Sequence, residues 1–184
     1  MGVNEMVVSE APRHNLPLQS TSLIGRDQEL VELARVLDTT RLLTLTGVGG
    51  VGKTRLALAL AERRGQSYAD GTWFVELAPL AEAVFVPQTV ATAVSVPLAP
   101  VTDPVIALVD FFRPRHALLI LDNCEHLLAS CATLADALLR RCAHLRILAT
   151  SREPLGVAGE LRWRVPSLAT PTDEAPVAAI LLAR

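Results

Sequence analysis

Short apolar runs alternate with amphipathic stretches along this chain of 184 residues. Strands are predicted at 42–46, 72–77, 117–121, 145–150 and 161–165, and the first of these is nearly all apolar, as a strand covered on both faces should be. Helices are predicted at 27–37, 54–64, within 81–97, at 104–112 and from 125 onward. The evidence is apolar residues spaced three and four apart, or a proline or glycine placed where a helix would end, such as Gly65 after 54–64. This alternation predicts an α/β fold with an open parallel sheet and helices on both faces.

The most informative stretch joins the first predicted strand to its helix. Residues 47–54, GVGGVGKT, match the G-x-x-x-x-G-K-[ST] phosphate loop in the required strand, loop and helix setting. All four glycines are expected to adopt positive φ and to bring backbone N–H groups close to phosphates. The dipole of the following helix adds positive charge at the same point. The alternative is a glycine-rich turn that only joins the two elements.

Two side chains complete this loop. Lys53 is expected to reach the β and γ phosphates, and the Thr54 hydroxyl to ligate Mg²⁺. Lys53 is the chain's only lysine among seventeen basic residues. This usage favours a position where a compact ammonium differs physically from a planar guanidinium.

A second anion for the metal is predicted at the end of the third strand. Asp122 follows the apolar run 117–121 as in a Walker B pattern, although an aspartate there is also a common helix cap. Asn123 follows where many related ATPases place a glutamate, and an amide cannot act as a base. Glu125 is open to two interpretations, an activator of water or a charge that favours the helix N-terminus.

The fourth strand ends in a third polar group, Thr150-Ser151-Arg152. If this strand lies between the first and the third, Arg152 is placed to meet the charge that distinguishes ATP from ADP. The alternative is a surface arginine at a strand end.

Composition narrows the class of protein. With 51% hydrophobic residues the chain can bury one sizeable core, and a net charge of −2 without basic clusters argues against nucleic-acid binding. The odd number of cysteines, Cys124, Cys131 and Cys142, predicts reduced, buried thiols. The N-terminus lacks the features of a signal peptide, and no apolar run reaches membrane-spanning length, so the protein is expected to be cytoplasmic.

Taken together, these motifs resemble the STAND class of P-loop NTPases, which is AAA+-like, in the branch close to the NB-ARC domains of bacterial LuxR-type transcriptional regulators. The matching segments are NLPLQSTSLIGRDQEL, RLLTLTGVGGVGKTRLALALA, DGTWFVELAPL, LLILDNCEHLL and LRILATSREPLGVAGE. The resemblance implies a three-layer fold whose five parallel strands have the order 5-1-4-3-2. It implies an N-terminal tail at 1–20, a core at 21–168, and the start of a truncated helical lid at 169–184, with its first helix at 175–184.

The resemblance also implies roles for individual residues. Ile24, Gly25 and Arg26 are expected near the adenine, and 150–152 at the sensor-like end of the fourth strand. The full set expected to bind ATP or ADP is Ile24, Gly25, Arg26, Gly47, Val48, Gly49, Gly50, Val51, Gly52, Lys53, Thr54 and Arg55. The set expected to act on phosphate is Lys53, Asp122, Glu125 and Arg152, with Thr54 and Asp122 as ligands of Mg²⁺.

The resulting hypothesis is a nucleotide-dependent switch in a signal-transducing transcriptional regulator, with slow ATP hydrolysis at most. Its partners would be output or partner domains outside this chain, with a possible nucleotide-dependent oligomer and no direct contact to nucleic acid or membrane. Two alternatives remain: a small-molecule kinase or other phosphotransferase, since the loop alone permits one, and a nucleotide-free interaction module left from a longer regulator.

Overall fold

A computed structural model of the chain describes residues 14–19, 23, 25–167 and 180–181. The strands are β1 (Leu42–Thr46), β2 (Thr72–Glu76), β3 (Leu118–Asp122), β4 (Arg146–Ser151), β5 (Glu160–Arg164) and β6 (Ile180–Leu181). The helices are α1 (Asp27–Thr39), α2 (Lys53–Arg64), α3 (Val86–Ala93), α4 (Pro104–Phe112) and α5 (Leu128–Arg141). Short 3-10 turns lie at Gly65–Ser67, Ala83–Phe85 and Cys124–His126.

The strands form one sheet in the order β2-β3-β4-β1-β5-β6. The first five are parallel to their neighbours. Their order, 2-3-4-1-5, is the predicted 5-1-4-3-2 counted from the opposite edge. Because β4 lies between β1 and β3, the carboxyl ends of these three strands meet at one place on the sheet edge. That is the position at which open α/β sheets bind their ligands.

Helices cover both faces of the sheet, as the alternating pattern predicts. On one face Leu33 of α1 and Leu56 of α2 pack with Leu43 and the fully buried Trp163. On the other, residues of α3, α4 and α5 pack against the opposite side chains of the same strands, with Phe112 completely buried. A fully buried leucine or phenylalanine stabilises the fold by about 2 kcal/mol relative to an exposed one, so these two layers hold the sheet rigid.

Two helix boundaries and the conformation of one helix cap differ from the prediction. α2 ends at Arg64 as predicted, but Gly65 is not left-handed: its φ is −52° and the chain continues into the first 3-10 turn. The helix expected from 125 begins at Leu128, because Asn123 adopts a left-handed conformation and 124–126 form another turn. Within 81–97 the α-helix covers only Val86–Ala93, and Ser95 has a positive φ of 59° before Pro97.

The two ends of the described chain lie on opposite edges of the sheet. Near the N-terminus the Asn15 side chain accepts from Phe74 N–H at 2.6 Å and donates to Phe74 O at 2.8 Å, so it covers the β2 edge as a peptide group would. At the other edge Ile180–Leu181 pairs antiparallel with β5. These two residues are therefore extended where a lid helix is expected, since the outer edge of β5 offers unpaired backbone groups. The rest of 168–184 lies outside the described residues.

Within the described ranges, the structure contains no helix with the length and apolar character needed to cross a membrane.

Candidate nucleotide-binding site

The loop after β1 curls as a phosphate loop should. Gly47, Gly50 and Gly52 have φ values of 151°, 78° and 92°, which L side chains rarely adopt. At Gly47 space matters too, since a Cβ would lie 3.2 Å from Val51 Cγ1 and 3.3 Å from the Val165 carbonyl. Gly49 does not have a positive φ, contrary to prediction. A Cβ at that position would lie 3.6 Å from Arg152 Nη2, an ordinary van der Waals distance, so the Arg152 guanidinium lies next to Gly49.

Lys53, the first residue of α2, is held over this loop. Its Nζ donates to the Gly47 carbonyl at 2.8 Å and to the Val48 carbonyl at 3.1 Å, and the residue is only 8% exposed. An ammonium has three N–H donors, so these two bonds orient the group and leave one donor. A buried, oriented cation beside backbone amides and a helix N-terminus favours an anion at this position.

A hydroxyl and carboxylate network lies beside the loop. Asp122, 5% exposed at the end of β3, accepts at Oδ1 from Thr54 Oγ1 at 2.8 Å and from Thr150 Oγ1 at 2.6 Å. The Thr150 hydroxyl in turn accepts from Asn123 N–H at 3.0 Å. The network fixes the Asp122 carboxylate against the first turn of α2. Thr54 and Asp122, the two residues predicted as ligands of Mg²⁺, are thus in direct contact.

The hard oxygen ligands of this network suit Mg²⁺, which is bound in nucleotide sites by one or two protein oxygens together with phosphate and water. The Thr54 hydroxyl and the Asp122 carboxylate, already in contact, would hold that ion. The loop amides and Lys53 would hold the phosphates.

Arg152 and Glu125 form an ion pair at the edge of the site. Arg152 Nε lies 3.2 Å from Glu125 Oε1, with the arginine side chain 65% exposed and the glutamate side chain 18% exposed. Glu125 Oε2 is buried and has no hydrogen-bond partner among the described residues. Neither predicted role of Glu125, water activation or helix N-terminal charge, included this pairing. The only signal for this ion pair in the sequence is that each residue comes just after a strand and that the two strands are neighbours.

Among the residues expected near the adenine, Arg26 makes several hydrogen bonds. This guanidinium is 3% exposed and donates to Glu29 Oε1 at 3.0 Å, to Pro166 O at 2.8 Å and more weakly to Val51 O at 3.5 Å. Arg26 thus ties the segment before α1 to the phosphate loop and to the chain after β5. Gly25 has a positive φ of 73°, and Ile24 lies outside the described residues. Arg55 is on the exposed side of α2.

The three cysteines are buried thiols, as predicted. Cys124, two residues after Asp122, donates through Sγ to the Leu121 carbonyl at 3.4 Å. A hydrogen bond with Cys131, together with burial, raises the pKa of the Cys124 thiol well above its usual value. The Cys124 thiol is therefore a packing group rather than a nucleophile.

Solved structures with the same architecture define the class of fold. Cdc6p from Pyrobaculum aerophilum superposes with a TM-score of 0.58 at 17% identity, over 80% of this chain and 46% of that one. A STAND protein with a tetratricopeptide repeat sensor from Pyrococcus horikoshii gives 0.54 at 16% identity, over 81% of this chain and 24% of its own. The chain therefore has the fold of P-loop ATPases.

Sequence relatives come from mycobacteria. A protein of Mycobacterium bovis named "Putative HTH-type transcriptional regulator Mb0914c" is 51% identical over 140 residues, which are 76% of this chain and 16% of that protein. The uncharacterized protein Rv0894 of Mycobacterium tuberculosis is 40% identical over 161 residues, 88% of this chain and 41% of that protein. This chain thus spans less than half the length of either relative. No protein-family model matches it.

Proposed function

We propose that this chain binds Mg·ATP and Mg·ADP at the 47–54 loop and acts as the nucleotide-dependent switch of a larger regulator. The observation that carries the proposal is the contact of Thr54 with Asp122 beside a lysine held over a glycine-rich loop. A loop that only joined a strand to a helix would need neither the buried lysine nor the buried carboxylate. Burying either charge is costly unless it serves a ligand or a network.

Each group has a distinct task in this proposal. The loop amides and the remaining N–H of Lys53 bind and orient the phosphates, while Thr54 and Asp122 hold the metal. Bound Mg²⁺ would supply positive charge that offsets the charge of the β and γ phosphates. Arg152, beside Gly49, would contact the phosphate that ATP has and ADP lacks.

The proposal includes slow ATP hydrolysis at most. Asn123 follows Asp122 directly, and its amide cannot accept a proton from water. Glu125 has one oxygen engaged by Arg152, which limits its use as a base. A site that binds a triphosphate well and cleaves it slowly suits a switch better than a metabolic enzyme.

The regulatory setting is proposed from the relatives. The Mycobacterium bovis protein is named as an HTH-type regulator, and this chain matches only 16% of its length. We infer that nucleotide state is passed to output or partner domains outside this chain, in a cytoplasmic protein of the STAND, NB-ARC-like type. DNA contact, and any nucleotide-dependent oligomer, would involve those domains.

Calorimetric titration with Mg·ATP tests the proposal. Lys53→Ala should weaken binding about a hundredfold, because it removes the cation that is held over the loop. Arg35→Ala is the matched control, since it removes one positive charge from an exposed position on α1. Equal affinity of wild type and Lys53→Ala would exclude the proposal.

Thermal unfolding separates the proposal from a nucleotide-free interaction module. Ligand at a hundred times its dissociation constant stabilises a folded protein by about 2.7 kcal/mol. Wild type should therefore unfold at a higher temperature in Mg·ATP, and Lys53→Ala should shift far less at the same concentration. No shift in wild type would favour the interaction module.

A further inference from the structure

The ion pair at the site edge determines where the Arg152 guanidinium lies. Its Nε faces Glu125 Oε1 at 3.2 Å, while Nη2, on the terminal fork, lies next to Gly49 in the middle of the phosphate loop. Glu125 and the loop residue Gly49 therefore lie next to different nitrogens of the Arg152 guanidinium. Because the guanidinium is planar and rigid, fixing Nε also fixes the direction of the two terminal nitrogens.

Arg152 has little other support. Its side chain is 65% exposed, and an exposed arginine has many rotamers, so ordering it on a ligand costs conformational entropy. Glu125 is well placed to reduce that cost. It lies in the 124–126 turn, which begins two residues after Asp122, and this turn is fixed by the buried Cys124 and by the hydrogen bond from Leu127 N–H to Cys124 O.

We propose that Glu125 is a positioning residue that sets the preference of the site for ATP over ADP by holding Arg152 above the loop. The proposal rests on the nucleotide-binding function proposed above. In this arrangement the loop amides and Lys53 bind the phosphates that both nucleotides share, and the anchored fork adds contacts only to the third. Glu125 acts through Arg152 and needs no contact with the nucleotide.

The test compares affinities for Mg·ADP and for an ATP analogue with an imido bridge between its β and γ phosphorus atoms, which resists hydrolysis. Glu125→Ala should weaken the analogue about tenfold and leave ADP within about twofold, since a hydrogen bond to a charged group is lost only for the third phosphate. Glu125→Gln should recover most of the preference, because the amide oxygen still accepts from Arg152 Nε. Glu153→Ala, which removes a neighbouring exposed carboxylate, should change neither affinity.

A double-mutant cycle gives the sharpest result. Adding Glu125→Ala to Arg152→Ala should have no further effect on the analogue, because the anchor has nothing left to hold. Additive losses would overturn the inference and favour a direct role of Glu125 in the site. An equal loss of both nucleotides in Glu125→Ala, or no loss of either, would also overturn it.

The outcomes for wild type separate the two proposals. If wild type binds both nucleotides and Glu125→Ala keeps their affinity ratio, only the positioning role fails. If wild type binds neither nucleotide, the proposed function fails, and this inference fails with it.

Discussion

The two ends of the parallel sheet arrange similar polar groups in opposite ways. At the carboxyl end, the Lys53 ammonium donates to carbonyls of the 47–52 loop, and Asp122 lies against Thr54 beside it. At the amino end, where β5 begins, backbone amides are gathered around a negative charge that belongs to the protein. Glu160, with a side chain 1% exposed, accepts from Leu155 N–H at 2.7 Å and from Gly156 N–H at 2.9 Å.

The difference shows how to tell a binding loop from a structural one. Both loops contain glycines with positive φ, Gly50 and Gly156 each at 78°, so glycine content does not distinguish them. What distinguishes them is the source of the anion. The Glu160 carboxylate fills its own cradle, with Arg162 Nε also 3.3 Å from Oε2, whereas the 47–52 loop has a lysine over it. An amide cradle filled by the protein's own carboxylate serves the fold, whereas under the proposed function the anion at the 47–52 loop would come from a ligand.

Replacing Glu160 should therefore give the largest loss of stability at the amino end. Glu160→Ala leaves the N–H of the buried Leu155 and the part-buried N–H of Gly156 without their acceptor and should lower the free energy of unfolding by about 3 kcal/mol. Urea denaturation measures this. Nucleotide affinity of the folded fraction should stay as in wild type, since the change is remote from the phosphate loop.

Glu153→Ala, in the same connection but exposed, is the matched control and should change stability by less than about 0.5 kcal/mol. A loss below about 1 kcal/mol in Glu160→Ala would mean that the carboxylate is not what holds this loop. A selective loss of ATP binding in Glu160→Ala would mean that the amino end takes part in binding, and the contrast between the two ends would be wrong.

A smaller effect at the amino end should depend on pH. Burial raises the pKa of Tyr68 from 10.0 to about 12, against the opposing charge of Arg146. The neutral phenol is thus favoured by folding, so its contribution is complete below pH 10 and is lost as pH rises toward 12. Relative to Tyr68→Phe, wild type should lose about 2 kcal/mol between pH 10 and pH 12, because one pKa unit corresponds to 1.36 kcal/mol.

Stability curves of the two proteins at each pH measure this difference, and groups that titrate alike in both cancel. A constant difference across that range would contradict the raised pKa. Nucleotide affinity at neutral pH should be the same for both proteins, as expected if this end of the sheet has no part in binding.

The parts of the fold that the sequence predicts are those with a strong local signal. Short segments rich in apolar residues locate all five parallel strands to within a residue at each end. The spacing of 47–54 locates the phosphate loop, because every residue of that motif has a physical reason to be there. Asp122 can be picked out as a candidate site residue because it comes after a buried strand downstream of this loop.

The parts that sequence reasoning misses depend on backbone conformation or on distant contacts. The start of α5 shifts because Asn123 takes a left-handed conformation, which asparagine tolerates but does not require. Gly65 ends α2 in a right-handed conformation and begins a 3-10 turn, where a left-handed cap is expected. The pairing of Glu125 with Arg152 joins residues from two different strand ends, and no local pattern specifies it.

Thr150 gives the smallest predicted effect and the most direct test of the comparison, because it is an internal contact at the open end of the sheet. Thr150→Val removes the hydroxyl that donates to Asp122 at 2.6 Å and accepts from Asn123 N–H at 3.0 Å. It should lower the free energy of unfolding by about 1.5 kcal/mol through the unpaired amide. It should also weaken Mg·ATP binding severalfold, because Asp122 loses one of the two hydroxyls that orient it, and Thr150→Ser should restore both properties. If Thr150→Val lost stability but kept its Mg·ATP affinity, Thr150 would be a structural residue like Glu160. The contrast between a binding end and a structural end of the sheet would then hold for individual side chains and not for the whole end.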